Sequence, residues 1–160
     1  MNYSWTRRGE RTRIPYENPQ GRRVNVLAAY SPFGSQPALT WGLERSSILS
    51  GQFVDFVQRI PRLPGKPLVV VIDNGSLHKS WVVKEALAKL REQRIYLYYL
   101  PPYSPQLNAI EAIFGVIKRH ALPERRYTTW ESLEEAIITG FTHVEERLLE
   151  KCSAQPRQVA

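Results

Sequence analysis

The sequence predicts a single α/β domain in which helices flank a mixed β-sheet. Two strand-like segments come first in the chain, and helical and strand-like segments then alternate towards the carboxyl terminus. This order is typical of a sheet that combines antiparallel and parallel strand pairs. With 160 residues and an apolar fraction of 42%, the chain can bury one sizeable core, and no second core is evident.

The first half of the chain is predicted to contain a β-hairpin, a helix and a buried strand. Residues 24–30 and 38–43 have the composition of strands, and the intervening PFG at residues 32–34 is a turn signal. Residues 51–60 repeat apolar side chains at helical spacing, with Asp55 on the wet side. Residues 68–73, LVVVID, are rich enough in Val and Ile to predict a strand buried on both faces.

The second half is predicted to alternate helix and strand and to end in a long helix. A helix is expected over residues 79–93 and a strand over residues 95–100, and Asn108 is a good N-cap for the helix that follows. Thr129 is the predicted N-cap of the last helix. The apolar side chains that recur in that helix at helical spacing are Trp130, Leu133, Ile137, Phe141, Val144 and Leu148.

Asp73 is the first candidate functional residue, because it ends the Val-rich strand. Ligands of open α/β sheets bind beyond the carboxyl ends of such strands. The structural alternative is that Asp73 only starts an Asx-type turn with Asn74 and Gly75. The residue type and its position do not decide between these two interpretations.

Glu111 is the second candidate, and it lies at the start of a predicted helix. Its structural alternative is specific: with Asn108 as N-cap, Glu111 falls at N3 and completes a variant capping box. Glu111 also borders the apolar stripe of its helix, where a carboxylate can face the end of a neighbouring strand. The prolines of the preceding loop, residues 100–107, restrict the backbone and hold this helix start in one orientation. Two acids presented in this way suggest divalent metal chemistry.

The charge of the chain indicates a polyanionic partner. Lys and Arg number 22 against 15 acids, which gives a net charge of +7 and a pI near 9.8. Each basic group has a plain alternative as a solvated surface. The first group is Arg7, Arg8, Arg11, Arg13, Arg22 and Arg23, interleaved with Tyr3, Trp5 and Tyr16. The second follows the Glu111 helix and comprises Lys118, Arg119, His120, Arg125 and Arg126.

Other function classes are disfavoured by composition. Cys152 is the single cysteine, so the chain has no internal disulfide and no Cys/His metal cluster, and a reducing compartment is the natural expectation. No apolar run approaches the length of a membrane span, and residues 1–13 lack the apolar core of a signal peptide. We expect a cytoplasmic protein, associated with the nucleoid when it binds DNA.

Two sequence blocks resemble a known family. DNGSLHK at residues 73–79 and YLPPYSPQLNAIE at residues 99–111 are similar to the second-aspartate and final-glutamate blocks of DDE transposases, in the mariner-like branch with its bacterial insertion-sequence relatives. Residues 74–110, 37 in all, separate the two acids, which is near the spacing of that branch. Departures are mild: Gly75 stands where alanine is frequent and Ala109 where proline is frequent.

The resemblance implies a ribonuclease H-like fold and a metal-dependent site. Asp73 and Glu111 would be catalytic and would bind two Mg²⁺ ions, for which Mn²⁺ can substitute. The residues that would orient these acids without binding the metal are Asn74, Asn108 and His78. For His78 the alternatives are a phosphate contact or a loop-capping residue. The implied partners are transposon-end and target DNA and, in the complete enzyme, further copies of the chain. No separate DNA-recognition domain is visible within residues 1–160.

The resemblance also suggests which residues of the basic groups and of the loop before Glu111 contact DNA. Arg7, Arg8, Arg11, Arg13, Lys118, Arg119, Arg125 and Arg126 are candidate DNA contacts. Tyr103 and Ser104 lie in the loop before Glu111, where they either face DNA or pack within the loop. For Tyr103 we expect packing.

The first catalytic aspartate of the family has no counterpart. By alignment of Trp5 and Gly9 it would precede Met1, so the first strand of the fold is also expected to be missing. The acids Glu10, Glu17, Glu44 and Asp55 are poor replacements. Two hypotheses remain: a transposase catalytic domain whose first aspartate is encoded upstream and which is inactive alone, or a catalytically dead remnant that binds nucleic acid.

Overall fold

The protein is described by a computed structural model over residues 22–32, 38–120, 122, 127 and 129–154, with side chains up to residue 150. Strands, helices and two short 3₁₀ turns follow one another along the chain. In order they are β1 (Asn25–Ser31), β2 (Ala38–Glu44), α1 (Ser50–Arg59), β3 (Leu68–Ile72), the turn Leu77–Lys79, α2 (Trp81–Glu92), β4 (Ile95–Tyr99), the turn Pro105–Leu107, α3 (Ala109–His120) and α4 (Trp130–Ala154).

The strands form one antiparallel and one parallel pair. β1 and β2 are antiparallel, with Asn25 opposite Glu44 and Ser31 opposite Ala38, which confirms the predicted hairpin. The predicted turn at residues 32–34 lies mostly outside the described residues. β3 and β4 are parallel and joined through α2. The α/β class is confirmed, and within the described residues the mixed sheet is present as two two-stranded sheets.

The first core lies between the β3–β4 sheet and helices α1 and α2. Phe53 and Val57 of α1 are buried against Ile72 of β3, and Val83 and Leu90 of α2 complete the cluster. Each fully buried aliphatic side chain contributes about 1.5–3 kcal/mol of burial free energy. As the helical spacing predicts, Asp55 stays on the exposed side of α1. This core fixes the position of the strand that ends at residue 72.

The second core lies between the hairpin and helices α3 and α4. Phe141 of α4 is almost fully buried, with its ring centroid 4.8 Å from that of Trp41 and 6.2 Å from that of Phe114. Thr129 caps α4 as predicted, since its Oγ1 accepts a hydrogen bond of 3.1 Å from the Ser132 amide. The packing of α3 on this core orients the helix that carries Glu111 in its first turn.

β1 connects the two cores, because its alternating side chains point to opposite faces. Leu27 packs against the first core, whereas Val26 and Ala28 pack against the second. The hairpin therefore lies between the α1 side and the α3–α4 side of the domain. None of the helices in the described part combines the length and the apolarity that a membrane span needs.

The prediction that the β3 strand is buried on both faces was wrong. Val69 and Val71 are 56% and 47% exposed, as are their neighbours Tyr96 and Tyr98 of β4 at 44% and 60%. Among the described residues, helices cover only the face that carries Ile72. A continuous apolar run shows that a strand is apolar throughout, but covering the second face depends on elements distant in sequence.

Candidate active site

The carboxyl ends of β3 and β4 meet at one edge of the parallel sheet, and Asp73 follows β3 directly. The Asn74 side chain donates a hydrogen bond to the carbonyl oxygen of Leu100, which follows β4. This bond ties the two strand ends together. Asp73 is thereby held at the sheet edge, and its side chain is 58% exposed.

One carboxylate oxygen of Asp73 is held by two donors. The Gly75 amide donates to Oδ1 at 2.8 Å, and Nδ1 of His78 lies 2.8 Å from the same oxygen. Because a carboxylate only accepts, Nδ1 of His78 is the donor. A Cβ on residue 75 would lie 3.0 Å from Oδ1, so glycine leaves the room that this arrangement needs. Within the described residues Oδ2 makes no hydrogen bond and is available to a ligand.

The Asx-type turn predicted as the structural alternative for Asp73 is therefore present, formed by Oδ1 and the Gly75 amide. It uses one carboxylate oxygen only. The structural and the functional interpretations of Asp73 are thus compatible, because the turn orients the group whose second oxygen is free.

His78 is anchored by residues of both neighbouring elements. Its ring lies 4.6 Å from the Phe53 ring of α1, centroid to centroid, and its carbonyl oxygen accepts a hydrogen bond of 2.8 Å from the Tyr99 hydroxyl of β4. Partial burial raises the pKa of Tyr99 above its ordinary value, so the hydroxyl remains a donor. The imidazole is only 18% exposed and has little freedom to leave Asp73.

Glu111 lies in the first turn of α3 with an exposed side chain. Its amide donates to the Asn108 carbonyl oxygen at 3.1 Å, so Asn108 directly precedes the helix as predicted. Within the described part of the chain, neither the Glu111 nor the Asn108 side chain makes a hydrogen bond, so the capping-box bond is absent. The Glu111 carboxylate is free to serve another purpose.

The loop between β4 and α3 contains the most unusual residue of the site. Tyr103 has a positive φ of 56° and a fully exposed side chain, which contradicts the expectation that it packs within the loop. Ser104 donates from Oγ to the Pro102 carbonyl oxygen at 3.3 Å, so Ser104 braces the loop from inside. The turn Pro105–Leu107 then leads into α3.

Asp73 and Glu111 line the same cleft. The cleft has a volume of about 250 Å³ and lies between the two strand ends, the loop and the start of α3. Its lining residues are Asp73, Asn74, Gly75, Leu100, Pro101, Tyr103, Ser104, Pro105, Asn108 and Glu111. Two carboxylates separated by 37 intervening residues are therefore presented to the same open cleft.

The sequence matches the DDE superfamily endonuclease family over residues 1–134. The chain belongs to this family. No curated protein matches the chain. The match confirms the DDE assignment made from the two sequence blocks. A nuclease function of the transposase type and a DNA substrate follow from membership, and DDE superfamily enzymes generally use divalent metal ions.

The cleft of this DDE endonuclease has suitable donors for a hard divalent cation. Oδ2 of Asp73 and the carboxylate of Glu111 are both oxygen donors without other partners among the described residues. Mg²⁺ prefers such oxygens and is commonly held by one or two carboxylates together with water and substrate phosphates. The residues present therefore fit one such ion.

A third carboxylate does not join the cleft from the described residues. Among them, no group of three or more His, Cys, Asp or Glu side chains is arranged to hold a metal ion. Asp55 lies exposed on α1, away from the cleft lining. The acids Glu10 and Glu17 fall outside the described residues.

Part of the predicted basic surface follows the cleft along α3. Lys118, Arg119 and His120 are exposed in its last turn. Lys118 is about two turns and roughly 10 Å beyond Glu111 on the same side of the helix. The guanidinium group of Arg119 lies back over Gly115, 3.5 Å from the position of a Cβ there. Of the other candidate DNA contacts, Arg7, Arg8, Arg11, Arg13, Arg125 and Arg126 lie outside the described residues.

Sequence reasoning missed two residues that position the site. Tyr99 ends β4 just as Asp73 follows β3, so the same strand-end rule applies to it and would have identified it. Phe53 lies in the predicted helix of residues 51–60, and its contact with the His78 ring depends on how α1 packs. No sequence signal connects these two positions.

Proposed function

We propose that residues 1–160 form a single catalytic domain of a mariner-like DNA transposition enzyme, which cuts DNA strands and transfers them with divalent metal ions held by Asp73 and Glu111. The observation that carries this proposal is the shared cleft of about 250 Å³, lined by both carboxylates in a chain of the DDE endonuclease family. Acids that serve only as turn or capping residues do not need to line the same cleft.

Asp73 would hold a metal ion through Oδ2, and Glu111 would hold it from the first turn of α3. We assign Mg²⁺ as the ion, with Mn²⁺ as a substitute, because both ligands are hard oxygen donors. The chemistry that bound ions supply in such sites is activation of a water or a 3′ hydroxyl and stabilisation of the leaving oxygen. A two-ion site needs a third carboxylate beyond these two.

His78 and Asn74 would act on Asp73 rather than on the substrate. His78 fixes the rotation of the carboxylate through Oδ1, and Asn74 fixes the strand ends through the Leu100 carbonyl. Such supporting contacts orient metal ligands. Asn108 directly precedes α3 and lines the cleft, and it would orient Glu111 through the backbone of the helix start, where its carbonyl oxygen accepts from the Glu111 amide.

DNA would lie across the cleft and along α3. Lys118 and Arg119, which lie in the last turn of α3, would neutralise phosphates about two turns of helix beyond Glu111. The arginines at residues 7–23 and Arg125 and Arg126 would add further phosphate contacts. Phosphate contacts position DNA without reading its sequence, so we expect affinity that depends on salt rather than on sequence.

The third carboxylate would come from a segment outside the described residues or from another polypeptide, and further copies of the chain would assemble both transposon ends. A second candidate function is nucleic-acid binding without cleavage. The presence of only two acids in the cleft among the described residues favours it for the isolated chain.

A nicking assay on supercoiled plasmid DNA separates these candidates. We expect the 160-residue chain to bind the plasmid and to leave it uncut with Mg²⁺ or Mn²⁺, because two carboxylates coordinate the ions incompletely. Nicking that Asp73→Ala abolishes would contradict the incomplete triad and would show that an acid within residues 1–72 completes it.

The genomic DNA immediately before the Met1 codon provides the complementary test. An upstream frame that encodes an apolar strand ending in Asp predicts that the extended protein nicks the plasmid with Mn²⁺ and that Asp73→Asn removes this activity. An extended protein that still binds DNA without cutting it would support the catalytically dead alternative.

A salt titration tests the proposed DNA surface. The logarithm of DNA affinity should fall linearly with the logarithm of salt concentration, because each neutralised phosphate releases condensed counterion. Replacing Arg7, Arg8, Arg11 and Arg13 with alanine should reduce the slope. An unchanged slope would remove the amino-terminal arginines from the interface.

A further inference from the structure

We propose that Tyr103 is a stacking platform for a nucleobase of the bound DNA strand, beside the carboxylates that act on its backbone. This inference rests on the proposed function, since it assumes that DNA occupies the cleft. It assigns to Tyr103 a role in gripping the strand that neither the sequence blocks nor the family match assigns.

The backbone of Tyr103 is the first argument. Its φ of 56° lies in the left-handed region, which glycine and asparagine adopt readily and a bulky aromatic residue adopts rarely. Such conformations persist where the surrounding structure imposes them, and they cluster at ligand-binding and active sites. Glycine would be the favourable choice at this position if only the turn mattered.

The side chain of Tyr103 is the second argument. It is 100% exposed, so the strained backbone is not compensated by packing of the ring against the protein. Tyr103 is more exposed than the other large apolar side chains of its loop, since Leu107 is 55% exposed and Leu100, which follows β4, is buried at 7% exposure. An aromatic ring that costs strain and contributes no burial is explained by a partner that is absent from the free protein.

The position of Tyr103 is the third argument. The residue lines the cleft that also contains Asp73 and Glu111. The loop that presents it is rigid: Pro101, Pro102 and Pro105 restrict its backbone, and the amide of Leu107 donates to the Ser104 carbonyl oxygen at 3.1 Å. A fixed ring loses little conformational freedom when it binds a ligand.

The chemistry of the cleft decides which part of DNA the ring contacts. Phosphate groups approach two carboxylates only where cations neutralise them, so the metal-bound backbone belongs at Asp73 and Glu111. A neutral aromatic face beside them matches the flat face of a base next to that phosphate. Every base offers such a face, so the contact would strengthen binding without selecting sequence.

The experiment compares the full 160-residue chain with Tyr103→Leu and Tyr103→Phe in the presence of Mn²⁺. The probes are a fluorescein-labelled single-stranded oligonucleotide and a second oligonucleotide of equal length that carries abasic spacers in place of bases. Tyr98→Leu is the matched control, because Tyr98 is a 60% exposed tyrosine on the open sheet face outside the cleft lining. Far-ultraviolet circular dichroism verifies that each variant is folded.

Stacking predicts that Tyr103→Leu weakens binding of the base-containing probe by about 5- to 150-fold, which corresponds to about 1–3 kcal/mol per stacked base. The abasic probe should bind this variant and the wild type equally. Tyr103→Phe and Tyr98→Leu should bind both probes like the wild type.

Three results would overturn the inference. Unchanged affinity of Tyr103→Leu while the wild type binds DNA would refute stacking and leave the proposed function intact. Equal losses for Tyr103→Phe and Tyr103→Leu would show a hydroxyl contact to phosphate instead of stacking. A wild type that binds neither probe would refute the proposed function together with the inference.

Discussion

Replacing His78 with phenylalanine should weaken divalent metal binding while leaving the fold intact. Phenylalanine keeps an aromatic ring that can pack on Phe53, where the two ring centroids are now 4.6 Å apart, but it removes the Nδ1 donor 2.8 Å from Asp73 Oδ1. The variant therefore separates the hydrogen bond from the packing. His78→Asn is the matched control, because its amide nitrogen can reach a similar position and donate.

The expected magnitude follows from how Asp73 is held. Loss of a supporting contact to a metal ligand typically costs 10- to 100-fold in affinity. Here the Gly75 amide still holds Oδ1 at 2.8 Å and the Asp73 side chain is 58% exposed, so we expect the lower end, about 10-fold. The change in unfolding free energy should stay below about 1 kcal/mol, because one partly exposed hydrogen bond is lost.

The assay is a Mn²⁺ titration followed by the electron paramagnetic resonance signal of the free ion, with urea unfolding measured in parallel. His78→Asn should bind Mn²⁺ within about threefold of the wild type, since it restores the donor. The reasoning would be refuted if His78→Phe bound Mn²⁺ as tightly as the wild type, or if His78→Asn lost as much affinity as His78→Phe.

Three further predictions concern stability. Arg45 lowers the pKa of Glu134 through a direct hydrogen bond. Ionised Glu134 therefore stabilises the fold above the ordinary carboxyl pKa, and this stabilisation is lost as the pH falls through the lowered pKa. In urea unfolding measured at several pH values, Glu134→Gln should be less stable than the wild type at neutral pH, and the two unfolding free energies should converge in acid. The control Glu135→Gln, at an exposed position, should show no such pH-dependent difference from the wild type. Gly115→Ala should raise the unfolding free energy by about 0.5–1 kcal/mol, since its Cβ meets nothing closer than 3.5 Å; equal or lower stability would contradict this. Tyr103→Gly should also raise the unfolding free energy, by about 0.5–1 kcal/mol, because glycine relieves the left-handed backbone strain. A melting temperature below that of the wild type in thermal unfolding would contradict this prediction.

Much of the local structure was predictable because it depends on short-range patterns. The hairpin, the helix with Asp55 on its exposed side and the Thr129 cap follow from spacing and capping rules that act within a few residues. The placement of Asp73 after a strand and of Glu111 in a first helical turn was predictable for the same reason.

The remaining features depend on contacts between distant segments. The open face at Val69 and Val71 exists because no helix of the described residues covers it, which the apolar sequence of the strand does not show. The contact between His78 and Phe53 depends on the packing of α1 beside the turn after β3. The exposure of Tyr103 departs from its apolar character, and conflicts of this kind between local preference and structure are expected at functional sites.

The most direct test of the central claim is whether Asp73 and Glu111 bind the same metal ion. Mn²⁺ affinity should be measured for the wild type, Asp73→Asn, Glu111→Gln, the double variant and the control Asp55→Asn, whose acid is exposed on α1. A shared site predicts that each cleft variant loses tenfold or more, that the double variant loses less than the product of the single losses, and that the control is unchanged. Losses that multiply independently, or that do not exceed the loss in Asp55→Asn, would contradict a shared metal site.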